Sequence, residues 1–540
     1  MGKHRRRLPI GVQGFESLRS EGFLYVDKTR YIYDLAHGSK QYFLSRPLRF
    51  GKSLFLSALR VYWEGKRELF EGLEIAELER GNEDAWQAYP VFYFDFNGKN
   101  YRSGTALEDV LDKMLRAWEA TYGSNEGLPL EERFQNLLVT ASRKYGRKCV
   151  VLVDEYDKPL LEVLENDALE EHNKAVFKGF FSTLKSYDEY LKFVFITGVT
   201  KFSKVSILSD LNQLNDISLS PGYACICGFT EAELSSNFAA EIHSMAKGLG
   251  LREEDCMAEL RKMYDGYRFS PTGQGVYNPF SLLKAFFDGR MDAYWFTTGT
   301  PTFLVRRMRK MHFDIRQIDG QALYADAGSL SDYRADNPDI VPLLYQTGYL
   351  TIVGSEPGTG LYRLGFPNEE VRQGFTKSLF PEYVEGAVPG SGKDIFTLRR
   401  YLEQGDTDSI RDVLAALFAS IPYTANDAPF EHYFQTVLYL VFTLLGQYTA
   451  CEIHSSKGRA DCIVETGRFV YIFELKVDQS AKAALAQIEE KGYAEPYAAD
   501  RRRLLKIGAG FNSKSRSLAD WEVSEESNGQ PIPSNLDEPH

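Results

Sequence analysis

Arg46-Pro-Leu-Arg-Phe-Gly-Lys-Ser53 is the stretch on which the reading of this chain turns. It follows the apolar run Tyr42-Phe-Leu44 and precedes Leu54-Phe-Leu-Ser-Ala-Leu59, which reads as the start of a helix. Strand, turn, Gly-Lys-Ser and helix form the setting a phosphate-binding loop needs. Backbone N–H groups at a helix N-terminus point at an anion, and the helix dipole favours its charge. In that setting the loop from Arg49 through Phe50 and Gly51 cradles phosphates, Lys52 reaches the β- and γ-phosphates, and the Ser53 hydroxyl holds Mg²⁺. The pattern departs from the full loop at position 46, where a glycine is expected and Arg46 stands. The plainer alternative is a basic turn with Ser53 capping a helix.

The second stretch is Cys149-Val-Val-Leu-Val-Asp-Glu155. Its apolar residues ending in Asp-Glu predict a buried parallel strand with two carboxylates at the carboxyl end. Ligands of open α/β sheets bind at that end. Asp154 then belongs to the Mg²⁺ shell, and Glu155 orients or deprotonates the attacking water. Phe193-Val-Phe-Ile-Thr-Gly198 predicts another strand, with Thr197 at its end as a γ-phosphate sensor or a plain strand-ending hydroxyl.

At 540 residues the chain spans several domains, and its 44% hydrophobic content suffices for real cores. A net charge of −12 excludes a wholly basic nucleic-acid coat, so any such contact is local. The six cysteines show no Cys-x-x-Cys pair, which suits free thiols in a reducing cytosol. No apolar run reaches membrane-spanning length, and the basic start Lys3-His-Arg-Arg-Arg7 is not followed by a signal-peptide core. A cytoplasmic location without membrane contact is expected.

Along the chain, a helix is expected from Tyr31, another over 54–75, a strand at Val91-Phe-Tyr-Phe-Asp-Phe96, and helices near 106–120 and 170–187. Helices alternating with apolar strands indicate a parallel sheet covered on both faces. Thr230 and Glu233 have capping-box spacing. The basic run Arg306-Arg-Met-Arg-Lys310 reads as a solvated helix face ahead of a contact with DNA or a neighbour's nucleotide, and Gly390-Ser-Gly-Lys393 as a linker.

Val26-Asp-Lys-Thr29, the Arg46–Ser53 stretch, Val153-Asp-Glu-Tyr-Asp-Lys-Pro159 and Tyr264-Asp-Gly-Tyr-Arg-Phe269 together resemble the AAA-ATPase-like family of bacterial proteins. Its members pair the ATPase with a C-terminal PD-(D/E)XK nuclease domain. The resemblance implies a P-loop α/β core over 1–225, a helical lid and connecting region over 226–395, and a restriction-endonuclease-like α/β domain over 396–512. A polar tail with Pro531 and Pro533 follows from 513 to 540 and is expected to be disordered. In the lid, Val276-Tyr-Asn-Pro-Phe-Ser281 also looks like a family signature.

The C-terminal region carries a site of its own. Glu431 to Leu445 predicts a buried helix. Asp461-Cys-Ile-Val-Glu465 and Phe469-Val-Tyr-Ile-Phe-Glu-Leu-Lys-Val477 predict two strands with Thr466-Gly467 as a tight turn. Glu474 and Lys476 are two apart and share a face. That turn sets Asp461 opposite Ile472 and diagonal to Glu474, on the same face. Asp461 and Glu474 supply hard oxygen ligands for Mg²⁺, and Lys476 stabilises charge on a phosphodiester. A polar sheet face with an ion pair is the plainer alternative. The resemblance to RecB-like nucleases adds Gln487, before Tyr493, and Glu431. The implied function is ATP-linked, Mg²⁺-dependent cleavage of nucleic acid, DNA foremost, in defence or mobile-element biology, with oligomerisation left open. The alternative is a nucleotide-controlled regulator or scaffold that cleaves nothing.

Overall fold

The computed structural model describes residues 6–526, apart from interruptions of which 202–213, 296–303, 332–338, 384–392 and 420–429 are the longest. Two compact units result, one of residues 1–299 with 324–371 and one of 300–323 with 372–540. The boundary expected at 395 follows a Gly-Ser stretch. The structure instead changes unit inside the helix Glu369–Tyr383, because a linker-like composition marks irregular chain and not the edge of packing. Most of Arg306–Lys310, residues 390–392, the Glu431 side chain, Pro531 and Pro533 lie outside the described residues.

In the first unit, β1 (Gln41–Ser45), β2 (Val91–Asp95), β3 (Cys149–Asp154), β4 (Leu191–Gly198) and β5 (Asn215–Asp216) form a sheet of order β2-β3-β4-β1-β5. Every pairing is parallel. Parallel strands need crossovers, and these lay helices on both faces. On one face Phe94 of β2 meets Phe134 at 5.2 Å and Phe180 at 5.4 Å. Those rings come from α3 (Leu130–Tyr145) and α4 (Asp167–Ser186), while α2 (Ala106–Tyr122) adds Trp118 at 4.9 Å. On the other face α1 (Lys52–Trp63) lays Trp63 on Phe193 of β4 at 5.3 Å. The register aligns Ser45 with Gly198 and Asp95 with Asp154, so the carboxyl ends of the strands share one rim.

The helix expected over 54–75 ends at Trp63. Gly65 has φ 78°, and a Cβ there would lie 2.7 Å from the Trp86 carbonyl, so the chain turns away into the short 3₁₀ turn Arg67–Phe70. Four further helices, α5 (Glu231–Asn237), α6 (Ala239–Leu249), α7 (Glu253–Tyr264) and α8 (Pro279–Asp288), bury Leu234, Ile242, Leu260 and Phe286 in a common core. The Thr230–Glu233 capping box forms in full. β6 (Leu323–Asp326), β7 (Thr351–Ser355) and β8 (Leu361–Gly365) make a small sheet of order β6-β8-β7.

The second unit follows α9 (Phe430–Leu444) with β9 (Tyr448–Ala450), the hairpin β10 (His454–Ser455) and β11 (Gly458–Arg459), then β12 (Cys462–Glu465) and β13 (Phe469–Val477). The helix α10 (Ala481–Glu490) crosses to β14 (Arg503–Asn512), and β15 (Ser517–Glu526) closes a sheet of order β15-β14-β13-β12-β9. Only β13 and β14 run parallel, as a crossover helix requires. β15 corrects the expected disorder from 513. Its Trp521 and Val523 alternate with Asp520, Glu522 and Ser524, so an edge strand with an acidic exposed face reads by composition as polar tail. Among the described residues no helix is long and apolar enough to cross a membrane.

Candidate functional site

The phosphate-loop stretch sits between β1 and α1, with Gly51 at φ 93° as the residue preceding the helix. Arg46, where a glycine was expected, is 1% exposed and works beneath the loop. Its guanidinium donates to the carbonyls of Ser45, Ser218 and Tyr223 at 2.8–2.9 Å and stacks on the Phe269 ring at 4.2 Å. Lys52 is 4% exposed, and its Nζ donates to the carbonyls of Arg46 and Pro47 at 2.9 and 3.1 Å. The Phe50 ring is buried edge-on against Tyr267 at 4.7 Å. The Tyr264–Phe269 motif therefore backs the loop through Tyr267 and Phe269. Ser53 and Arg49 both face a cavity of 520 Å³.

That cavity is lined on its apolar side by Ile10, Val12, Phe229, Phe280 and Trp295, and on its polar side by Lys52, Glu155 and Lys158. The volume and the mix of apolar walls with few polar groups are those of a small-molecule site.

Asp154 and Thr197 meet at the rim where β3 and β4 end. The Thr197 hydroxyl donates to Asp154 Oδ1 at 2.7 Å, and Tyr93 Oη donates to Oδ2 at 3.4 Å. Thr197 is fully buried and does not line the cavity; its place is on Asp154. Glu155 turns out of the strand at φ 49°, its N–H on Thr197 Oγ1 at 3.4 Å. Burial pushes its carboxyl up to about 7; the Lys52 charge opposes this, and Asp154 and Asp157 add to it. Asp157, which the sequence reading left unassigned, accepts from Val199 N, Thr200 N and Thr200 Oγ1 and pins the exit of β4. The Asp-Glu-Tyr-Asp spacing was its signal.

In the second unit the hairpin turn is Gly467-Arg468, one residue later than expected, with the Thr466 N–H on the Phe469 carbonyl at 2.9 Å. Cys462 consequently pairs with Phe473, and the continuing register sets Asp461 directly across from Glu474, not Ile472. Asp461 Oδ2 accepts from the Leu475 N–H at 2.8 Å. Glu474 is 1% exposed; Lys476 Nζ donates to its Oε1 at 3.2 Å, and its Oε2 has no hydrogen-bond partner. Burial raises the Glu474 carboxyl, Asp461 raises it further, and Lys476 pulls it down.

The crossover helix α10 packs on this face. A Cβ at Gly508, the β14 neighbour of Glu474, would lie 2.2 Å from the Ala481 carbonyl, so only glycine admits the helix there. Gln487 on α10 donates to Tyr493 Oη at 3.4 Å. The glycine was not singled out in the sequence, because its constraint comes from another element. Among the described residues no group of three or more His, Cys, Asp or Glu stands together as a metal cage. The face instead offers two carboxylates, one of them with an unsatisfied buried oxygen. Hard oxygen donors of this kind fit a divalent cation such as Mg²⁺.

The family described as Predicted AAA-ATPase matches residues 9–208, and the PD-(D/E)XK nuclease superfamily matches residues 429–521. A relative from Azotobacter chroococcum mcd 1, "Uncharacterized protein in vnfD 5'region", is 35% identical over 537 residues, covering 96% of this chain and 99% of that one. The chain belongs to this family of AAA-ATPase-like proteins with a C-terminal PD-(D/E)XK nuclease-superfamily domain. Among solved structures, the Aeropyrum pernix ORC2 protein (ADPNP-ADP complexes) shares 11% identity at a TM-score of 0.22, over 68% of this chain and 91% of that one. The Aeropyrum pernix ORC1 protein in complex with DNA shares 12% identity at 0.22, over 65% and 91%.

Proposed function

We propose that the chain binds and hydrolyses ATP in its first unit and cleaves nucleic acid, DNA foremost, at the β12–β13 face of its second. The observation that carries the cleavage reading is Asp461 directly across from Glu474, which takes Lys476 on one carboxylate oxygen and keeps the other buried and unpaired. Asp461 and Glu474 would hold Mg²⁺, which when bound supplies the charge that activates water and polarises the phosphodiester. Lys476 would stabilise the charge developing on the phosphate oxygens. Gln487 would position substrate or water from α10.

In the first unit the backbone from Arg49 to Ser53 and the Lys52 ammonium would receive the phosphates. Ser53 and Asp154 would share the cation, and Thr197 orients Asp154 for that task. Glu155 would take the proton from the attacking water, a role that a carboxyl tuned near 7 suits. ATP turnover would govern access to the second site, in the cytoplasm. The test is purified chain with Mg²⁺, with and without ATP, against DNA and RNA substrates, with EDTA as control. Mg²⁺-dependent cleavage of DNA, abolished by EDTA, is expected. Nucleotide binding without cleavage of any substrate would make the chain a nucleotide-controlled regulator instead.

A further inference from the structure

Arg49, half-buried, and Glu370, fully buried, are two charges that the proposed chemistry leaves partly unexplained. Arg49 sits in the phosphate loop at φ 69° and lines the cavity. Its guanidinium lies 4.2 Å over the ring of Phe280, and its Nη1 is buried without a hydrogen-bond partner. Glu370, at the start of the helix Glu369–Tyr383, is fully buried. One of its oxygens accepts from Ser281 Oγ and from the Trp295 N–H, both at 2.8 Å, and its Oε2 has no partner. The two groups act on each other electrostatically: Glu370 supports the charge on Arg49, and Arg49 favours the ionised Glu370.

The same few residues tie the lid to the loop. Asn278 caps α8, accepting from the N–H groups of Phe280 and Ser281. Phe280 then faces Arg49, and Ser281 bonds Glu370. Trp295 Nε1 donates to the Leu48 carbonyl of the loop at 3.2 Å. A guanidinium with an unused donor on the wall of a phosphate site is open to an anion in the cavity, while Glu370, one residue contact away through Ser281 and Trp295, acts on its charge through space without an ion pair.

We infer that Glu370 competes with the nucleotide phosphates for Arg49 and so sets how tightly the first unit holds its nucleotide, an inference that rests on the nucleotide reading of that cavity. Glu370 is a positioning residue here, acting through Arg49 and not on the ligand. Removing a buried charge that acts on the guanidinium should change nucleotide affinity by roughly tenfold.

The experiment is a fluorescence titration of the full chain with a mant-labelled ATP at about pH 8 and low salt. Glu370→Gln is close to isosteric and keeps an acceptor for Ser281 and Trp295. It should tighten binding roughly tenfold, and Arg49→Ala should weaken it by a similar factor. In the Arg49→Ala background the gain from Glu370→Gln should shrink, because Glu370 then has no guanidinium charge to act on. Ser281→Ala frees more of the Glu370 charge for Arg49 and should weaken binding, which keeps the inference testable if Glu370→Gln folds poorly. An equal gain in both backgrounds, or no gain, overturns it. Wild-type chain that binds no labelled ATP would overturn the nucleotide reading itself, a distinct result.

Discussion

The two units each place a pair of acidic residues where the proposed chemistry needs them, and they complete those pairs differently. In the first, both Asp154 oxygens are engaged by neutral donors, Thr197 and Tyr93, and Glu155 stands alone as the group pushed up to about 7. In the second, Asp461 faces Glu474 across two strands, and one lysine is set against the pair. Glu474 keeps a buried oxygen with nothing bonded to it. Buried acceptors normally find partners. In the first pair neutral donors of the protein already engage both oxygens of Asp154, whereas the second keeps one buried oxygen that, on the proposed reading, a cation would complete.

The largest effect expected separates the roles within the first pair. Glu155→Gln should bind ATP with near wild-type affinity and lose about 10²–10⁴-fold in hydrolysis. Wild-type hydrolysis should also rise as pH passes through about 7, since the raised carboxyl must ionise to accept a proton, and the variant should not show this rise. Unchanged phosphate release in the variant would make Glu155 structural. The second unit should respond differently. Lys476→Ala should cost about 10²–10³-fold in cleavage while ATP hydrolysis continues. Asp461→Ala should abolish cleavage and also the protection against thermal unfolding that Mg²⁺ gives. Cleavage surviving in EDTA would show that this face does not depend on a cation, and the contrast between the units would fall.

How much of this was legible depended on how local each cause is. The β3 strand was readable because five apolar residues ending in Asp-Glu leave few other solutions. The face shared by Asp461, Glu474 and Lys476 was readable although the turn was misplaced by one residue. Moving a hairpin turn by one residue shifts the pairing by two, which changes Asp461's partner from Ile472 to Glu474 and keeps the face. Arg46 was opaque, because two of its carbonyl partners, Ser218 and Tyr223, lie more than 170 residues away. Glu370 was invisible for the same reason, its burial being decided by Ser281 and Trp295.

Arg46 gives the next effect in size. Arg46→Gly would complete the glycine pattern of the loop, and pattern matching alone would expect tighter nucleotide binding. The structure predicts the reverse. Three carbonyls lose their donor and the Phe269 face loses its cation. Unsatisfied buried groups cost about 1–3 kcal/mol each, so a loss of at least about 3 kcal/mol is expected. A lower urea midpoint for the first unit, with weaker ATP binding, is the expected result. An unchanged midpoint would mean that water replaces the guanidinium beneath the loop.

Glu370 supplies the smallest and sharpest test, because it shares with Glu474 the unpaired buried oxygen but not the facing carboxylate. Burial raises Glu370 from 4.5 to about 7, against the pull of the Trp295 N–H, the Ser281 hydroxyl and Arg49. A carboxyl that is raised in the folded state contributes stability that is full below its unfolded value and is lost as pH rises through the folded one. Glu370→Gln cannot ionise, so it should gain on wild type as pH rises from about 5 to about 8. At about 1.4 kcal/mol per unit, the gain is of the order of 2–3 kcal/mol. Denaturant unfolding of the first unit at both pH values measures it. The charge that answers Glu370 is Arg49, already part of the chain, so adding Mg²⁺ should leave this trend unchanged, whereas Mg²⁺ should stabilise the second unit through Glu474. A pH-independent gap would show that burial does not raise the Glu370 carboxyl, which then ionises in the folded chain as readily as in the unfolded one. A gap that Mg²⁺ abolishes would show that its unpaired oxygen, like that of Glu474, is waiting for a cation.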